Sequence, residues 1–597
     1  MSKFYEVKRR DGAARTGKLS VEENHVQTPL ILRVDTISKK KGELEVFNVE
    51  NPNFDDLSSE AAWNAPRGAV ILPEVHPLFT KVQEAIPSLF VDFFVLSFAS
   101  AMLNSPRDFV RRIIDARNAI PPDAALWVPA IATAENAALM FYMGVDVIDD
   151  TNAVIKGSQG IYLMEDGEVR LSELDELPCN CRVCASLSTD ALKQKNNKER
   201  ASLLAKHNTL VLDKEVKKAR ACIRAGNLRE YVEMRVRSSP FLTAVLRILD
   251  SEEEAYFERR TPVARNCSMM ANTMESLKRT EVKRFASRVL ERYEPPARKI
   301  LLILPCSARK PYSTSPSHTR FIDAIAGYRG QIHELILTSP LGVVPRELEA
   351  VYPAAFYDIP ITGYWDAEER EWVSSCLRAY LERKMKNYDV VVAHLSGAYS
   401  EICASVAEDT GIEIAYTCEA NEGTTSKEAL NRLKERIAGL CGDKQRLSGF
   451  EMKKSMIKAM ADFQFGPCAG RQLLSEEERG ERLKINGKFP SFKLSSKGDV
   501  LARIVPEYGL LTLTVKGARR IENLLSSYVV EIGDFVPRGS ILAPGVVNAG
   551  EQIRVNDEVV FRGEKAFGVG RAKMSGWEMV ESRKGMAVQV RKVEEKV

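Results

Sequence analysis

The sequence predicts a multidomain α/β protein closed by a β-barrel, and three observations carry that prediction. Its 597 residues lie well beyond the size at which one hydrophobic core stops growing, so roughly three to five domains are expected. Two separate stretches alternate short apolar runs with helix-length segments, the pattern of parallel strands with helices between them. The last part of the chain sets glycines at short intervals between strand-length runs, which suits a compact barrel.

Taken in order, the opening segment FYEVKRRDGAARTGKLSVEENHVQTPLILRVDT alternates apolar and polar residues around Asp11-Gly12 and reads as a hairpin. From Pro66 to about Gly160 the runs AVILP, FFVLSF, LWVPAIA and GVDVIDD read as buried strands, with a helix over Ser105–Asn118. Leu187 to Arg298 is charged with recurring apolar positions and predicts helices. A second α/β unit begins at Lys299, with strands KILLILP, ELILTSP and NYDVVVAHL, helices over Ala367–Met385 and Glu401–Asp409, and charged helical sequence over Glu422–Glu451. Short segments and turns follow Phe463, and β-rich sequence begins at Tyr528. The domain division read from these shifts is 1–178, 179–285, 286–450, 451–526 and 527–597.

Composition excludes several classes. Hydrophobic residues at 45% and charged residues at 28% are those of a folded protein, not of a disordered or collagen-like chain. The 85 basic and 81 acidic side chains nearly cancel, leaving +4, so a polyanion partner has to be argued from local patches. The N-terminus shows neither a basic nor an apolar leader region, and the most apolar stretch, Ser88–Leu103, is interrupted by Asp92. The expectation is a cytoplasmic protein with no membrane span. The 11 cysteines are odd in number, and three crowd together, which suits reduced thiols and a metal site better than a disulfide framework.

Cys179, Cys181 and Cys184 stand as Cys-x-Cys-x-x-Cys, and His207 follows in LLAKHNTLVL. Three thiolates and an imidazole complete a tetrahedral zinc site with no open position, so the expected cofactor is a structural Zn2+. The opening hairpin, GVDVIDDTNAVIKGSQG, this cluster with His207-Asn208, and ACIRAGNLREYVE together resemble the tRNA-guanine transglycosylases, in that order. The resemblance implies a TIM-barrel-like domain carrying a zinc subdomain. Asp149 falls where that family keeps its nucleophilic aspartate. The family's Asp-Ser-Gly-Gly-Phe-Gln and Gly-Gly-Leu segments have no counterpart, and the region before Asp149 is short for eight strand-helix units of about 30 residues each. The barrel is therefore read as shortened, and Asp149 and Asp150 as cap or turn residues at a strand end.

The run PCSARKPYSTSPSH, Pro305 to His318, follows the buried strand KILLILP. In open α/β sheets ligands bind beyond the carboxyl ends of strands, so a site is expected here. Cys306 is read as a nucleophile, Lys310 as an anchor for an anion, and His318 as an acid or base. Ser307, Tyr312, Ser315 and Ser317 are the hydroxyls that orient a polar ligand. At two further strand ends, ILTSPLGVVPRELE and VVAHLSGAY, Ser339, Arg346, Glu347, His394 and Ser396 are candidates for substrate contact: Arg346 for a carboxylate, Glu347 for an ammonium.

The pattern Pro-Cys-x3-Lys-Pro-Tyr-x2-Ser-x2-His is matched at Pro305, Cys306, Lys310, Pro311, Tyr312, Ser315 and His318. It resembles the motif of the archaeosine synthases, transglycosylase paralogues that act on tRNA already carrying 7-cyano-7-deazaguanine in its D-loop. That resemblance implies a transferase that adds an amine, free lysine, to the nitrile carbon, and a radical-SAM archaeosine synthase beta-type partner that cleaves the adduct to the amidine. Transglycosylase base exchange, glutamine-dependent amidotransfer and a non-catalytic tRNA-binding scaffold remain as alternatives, and self-association as a homodimer stays open. The final segment, with GDFVPRGSILAPGVV and AFGVGRAKMSG, resembles a PUA domain, in which Arg538, Lys565, Arg571 and Lys573 would supply RNA phosphate contacts.

Overall fold

A computed structural model of the protein describes residues 3–21, 24–33, 45–47, 66–74, 76–86, 89–360, 364–476 and 482–596. The end of the opening segment, Val34 to Thr36, falls outside the described residues. The chain forms two compact units, Met1–Pro262 with Ser540–Asn548 and Lys573–Val588, and Val263–Gly539 with Ala549–Ala572 and Gln589–Val597.

In the first unit β1 (Tyr5–Asp11), β2 (Ala14–Val21) and β3 (Asn24–Thr28) form an antiparallel sheet. Its first turn uses Gly12 at φ +65°, a conformation that a Cβ disfavours. A second sheet contains β4 (Leu30–Leu32), β5 (Glu45–Phe47), β6 (Arg67–Ile71), β7 (Phe93–Leu96), β8 (Ala125–Trp127) and β9 (Val147–Asp149). Its order is β4-β9-β8-β7-β6-β5, with parallel pairing throughout. The helix expected over Ser105–Asn118 is α1 (Pro106–Ala119), started by Ser105, whose side chain accepts the Asp108 amide, with Pro106 in the first turn. Phe109, Val110, Ile113 and Ile114 lie one helical turn apart and bury against Phe94, Leu96 and Leu126 of the sheet. The long helix α2 (Asn197–Ala225) begins at an Asn196 cap and ends at Gly226, φ +78°.

The second unit holds the α/β sheet read from KILLILP onward. It consists of β10 (Ile300–Pro305), β11 (Ile332–Thr338), β12 (Gly342–Pro345), β13 (Val390–Ala393) and β14 (Ile414–Tyr416), in the order β12-β11-β10-β13-β14. Only β12 runs antiparallel. From β10 the chain passes through α3 (Pro316–Ile325) to β11 on one side; from β13 it passes through α5 (Ala398–Thr410) to β14 on the other. Crossovers of one hand leading in opposite directions place their helices on opposite faces. Phe321 and Ile325 of α3 pack with Leu433 and Ile437 of α6 (Lys427–Leu440) over Leu302 and Leu304, while α4 (Ala367–Lys384) packs on α5. The carboxyl ends of β10 and β13 therefore form the sheet's switch point, where side chains from both helix layers meet.

The remainder of this unit includes four antiparallel strands in sequence order, Leu483–Lys488, Ser491–Ser496, Asp499–Val505 and Leu510–Leu513. In the glycine-punctuated region Val529–Ile532 pairs parallel to Glu558–Arg562, which pairs antiparallel with Ala566–Ala572. Among the described residues, no helix is long and apolar enough to cross a membrane.

Candidate functional site

The segment expected as a loop after β10 is a loop only as far as Pro311. Tyr312–Thr314 make a short 3-10 turn, and Ser315 caps α3 by accepting the His318 amide at 3.2 Å, with Pro316 in the first turn. Half of the motif thus serves to start a helix. Cys306, half-buried at the carboxyl end of β10, has its Sγ 3.0 Å from the Tyr399 hydroxyl in the first turn of α5. Tyr399 in turn meets Trp365 edge-on, ring centroids 4.7 Å apart. The Lys310 ammonium sits 3.9 Å above the Tyr357 ring, a cation–π contact. Burial lowers the lysine's pKa, against the opposing pull of Cys306 and Asp358. The Tyr357 hydroxyl links Tyr312, at 2.8 Å, to Thr338 Oγ1, at 2.7 Å. Burial raises all three phenols, Tyr312, Tyr357 and Tyr399, and keeps them protonated. Cys306, Lys310 and Tyr312 are thus brought together, joined by Tyr357 and Tyr399.

His318 is fully buried, its ring centroid 5.6 Å from that of Tyr312. Its Nε2 lies 3.0 Å from the Pro305 carbonyl and its Nδ1 accepts from Arg346 Nη2 at 2.8 Å. One ring nitrogen donates and the other accepts, which fixes the neutral tautomer. Burial, with the Arg346 charge added, lowers its pKa to about 3. The expectation of a proton-handling His318 does not match this geometry, because neither nitrogen is left for a ligand. Arg346 is equally committed: it donates to Glu334 at 2.8 Å and to Glu349 at 2.8 Å as well as to His318. Glu349 also accepts the Ser313 amide at 2.8 Å, tying the network to the Cys306 loop. With each of its three nitrogens engaged by a buried partner, this guanidinium is a structural group rather than a holder of a substrate carboxylate, so that expectation is corrected.

The remaining strand-end candidates separate. Glu347 accepts from Tyr293 at 3.0 Å and pairs with Arg298 at 3.5 Å and His333 at 3.3 Å, buried away from Cys306 and already neutralised. Burial opposes its charged form, but His333 and Arg298 prevail and bring its pKa down to about 2. His394 Nε2 lies 2.7 Å from the Thr424 carbonyl and Nδ1 2.8 Å from Thr417 Oγ1, so its expected substrate contact is corrected as well. Ser339 donates to Glu369 at 2.7 Å, and Ser315 and Ser317 Oγ lie 3.2 Å apart. Ser307 and Ser396 are half-buried.

Cys179, Cys181, Cys184 and His207 come together, each offering one ligand atom, all within 4.8 Å of one another. His207 reaches the cluster from α2 with Nδ1 3.3 Å from Cys184 Sγ, while Nε2 lies 2.9 Å from the Leu163 carbonyl. The ring is held by its far nitrogen and stacked on Tyr162 at 3.8 Å, the orientation that a metal-ligating histidine needs. These four donors fit a closed tetrahedral site. Asp149, at the end of β9, accepts from the Trp127 indole at 3.1 Å, the Ala130 amide at 3.1 Å and the Thr151 amide at 3.0 Å. The cap reading describes it well.

Of the four basic residues expected to meet RNA, Arg538 is exposed and Lys565 is exposed and paired with Asp534 at 2.9 Å. Arg571 is half-buried and lies over the Tyr508 ring at 4.7 Å. Lys573 is half-buried.

Four family models match successive parts of the chain: Queuine tRNA-ribosyltransferase over residues 81–240, a domain of unknown function (DUF5591) over 282–437, the patch-forming domain C2 of tRNA-guanine transglycosylase over 455–527, and the PUA domain over 531–593. Archaeosine synthase subunit alpha of Methanosarcina acetivorans is 43% identical, covering 99% of this chain and all of its own. The chain belongs to the archaeosine synthase family. A second relative, the archaeosine synthase of Haloferax volcanii, is 38% identical over the full length of both chains. The tRNA-guanine(15) transglycosylase of Methanothermobacter thermautotrophicus is 27% identical over 81% of this chain and 68% of its own. The crystal structure of AF0587, a protein of unknown function, shares 34% identity at a TM-score of 0.42, covering 52% of this chain and 99% of that one.

Within this archaeosine synthase-family chain, the sequence reading missed Tyr357, Trp365 and Tyr399. Tyr399 had a signal: it stands three residues after Ser396 at the end of the strand paired with β10, where sheet topology brings side chains together. Tyr357 and Trp365 lie in irregular sequence after β12 and carried no comparable cue.

Proposed function

We propose that the chain is a tRNA-modifying transferase of archaeosine biosynthesis that adds an amine, the side chain of free lysine, to the nitrile carbon of 7-cyano-7-deazaguanine at D-loop position 15. A radical-SAM partner then cleaves the adduct to leave the amidine. The observation that carries this reading is the joining of Cys306, Lys310, Tyr312, Tyr357 and Tyr399 at the switch point of the second unit's sheet. The archaeosine synthase names of relatives covering the whole chain support it.

In this reading Cys306 adds to the nitrile carbon and forms a thioimidate, which the amine then displaces, so that one difficult addition becomes two easier ones. Lys310 is the base that frees the incoming amine of its proton, a role favoured by the burial that lowers its own pKa. His318 and Arg346 hold the floor of the site, and Ser315 starts the helix that carries His318. Cys179, Cys181, Cys184 and His207 bind a structural Zn2+ in a subdomain beside a shortened TIM-barrel-like domain. Arg538, Lys565 and Lys573, each within or beside the PUA-like segment, contribute individual contacts to tRNA phosphates. Base exchange is disfavoured by Asp149, whose carboxylate is engaged by three donors.

The purified protein is incubated with free lysine and tRNA bearing the nitrile base, and the nucleosides are weighed by mass spectrometry. The base gains the mass of lysine; no gain overturns the reading. Replacing Cys306 with alanine abolishes the gain, and an unchanged rate removes the covalent step.

A further inference from the structure

The proposed chemistry has an unmet proton requirement. When a thiol adds across a carbon–nitrogen triple bond, sulfur gains a bond to carbon and nitrogen gains an electron pair, so one proton has to leave sulfur and one has to reach nitrogen. A group that touches the sulfur and can both give and take a proton satisfies both needs. Among the described residues Tyr399 is the one whose hydroxyl is shown within hydrogen-bonding distance of Cys306 Sγ, at 3.0 Å.

The fold aims this phenol. Tyr399 lies in the first turn of α5, which follows β13, the strand parallel to β10 on the side away from β11. Cys306 directly follows β10, and since Ile303 pairs with Ala393 the register sets it level with Ser396, from which the bend into α5 brings the Tyr399 hydroxyl back to the thiol. Gly397, at φ +56°, makes the bend between β13 and α5, and its amide donates to the Ala420 carbonyl at 2.9 Å. The edge of the ring is set by Trp365. Tyr399 is thus fixed from three directions.

We propose that Tyr399 is the proton carrier for Cys306, resting on the reading above that this thiol adds to the nitrile carbon. As the S–C bond forms, the phenol oxygen accepts the S–H proton and passes its own O–H proton to the nitrile nitrogen, giving a neutral thioimidate. In the second half the C–N bond to the amine forms, the C–S bond breaks, and a proton from the amine nitrogen returns through the phenol to the departing sulfur. Sulfur ends as a thiol, the phenol as a phenol, and the base as a substituted amidine. No outside oxidant, reductant or further acid is required.

The test uses the full chain, tRNA carrying the nitrile base, and the variants Y399F and C306A. Two quantities are followed: covalent protein–RNA capture without amine, read by denaturing electrophoresis, and adduct formation with lysine at a series of pH values. Y399F should slow capture by about 100-fold, the scale of a lost acid–base group, while tRNA affinity stays within a factor of about 2. Its remaining rate should rise with pH more steeply than the parent's, because the proton on sulfur now has to be taken by solvent base. That slope is a ratio within one preparation and does not depend on how much of the variant is folded. If Y399F keeps the parent rate and slope while C306A is inactive, the tyrosine assignment is overturned and the thiol reading stands. If C306A forms adduct at the parent rate, the covalent step falls and the tyrosine relay with it.

Discussion

At the scale of single residues, the arrangement around Cys306 separates groups that meet the reaction from groups that hold them. Arg346 belongs to the second kind. It balances Glu334 and Glu349 and fixes His318, all buried, and removing one partner of such a network strands charge in a low-dielectric interior. R346A is expected to lose about 3–5 kcal/mol of stability in urea unfolding. His318 supplies a pH signature. Its pKa in the folded protein is about 3 against an ordinary 6.5, so the unfolded chain binds the proton first. Stability is unaffected by this group above pH 6.5 and is lost as pH falls from there toward about 3. Unfolding midpoints at pH 7 and pH 5 should differ in the parent by an amount that shrinks in H318Q.

Elements show why part of the site was legible in the sequence and part was not. KILLILP reads as a buried strand because it is uninterrupted and apolar, and the residue after such a strand is exposed to ligand by topology alone, so Cys306 and Lys310 could be found. Ser315, Pro316 and His318 have a second meaning that the residue list concealed: Ser-Pro is a helix start, and the histidine one turn later points where the helix takes it. S315A is therefore expected to cost about 1 kcal/mol through loss of the cap, with activity falling as the protein loses folded population rather than through a change in pH profile. The Cys/His cluster was legible because spacing alone assembles three thiols, with His207 supplied from α2 and held at the Leu163 carbonyl. Partners supplied from neighbouring strands, such as Glu334 on β11 for Arg346 and Thr417 after β14 for His394, have no local signature, and so Arg346 and His394 were read as ligand contacts.

For the whole molecule, electrostatics is decided by surface distribution and not by the net charge of +4. If the exposed Arg538 and Lys565 contact phosphate, alanine at either position lowers tRNA affinity evenly across sequences and reduces the salt slope by about 1. Arg571, packed over Tyr508, behaves differently: R571A shows as a lower unfolding midpoint with the salt slope intact. Filter binding at several salt concentrations, alongside thermal unfolding, separates the two cases.

Asp149 carries a consequence for engineering. Two of its three donors are main-chain amides, of Ala130 and Thr151, and among side-chain changes only proline deletes an amide hydrogen. Ala130 holds a left-handed backbone, φ +64°, in the act of presenting one of them. Releasing this carboxylate to attack a sugar would require rebuilding the path of the chain between two strands.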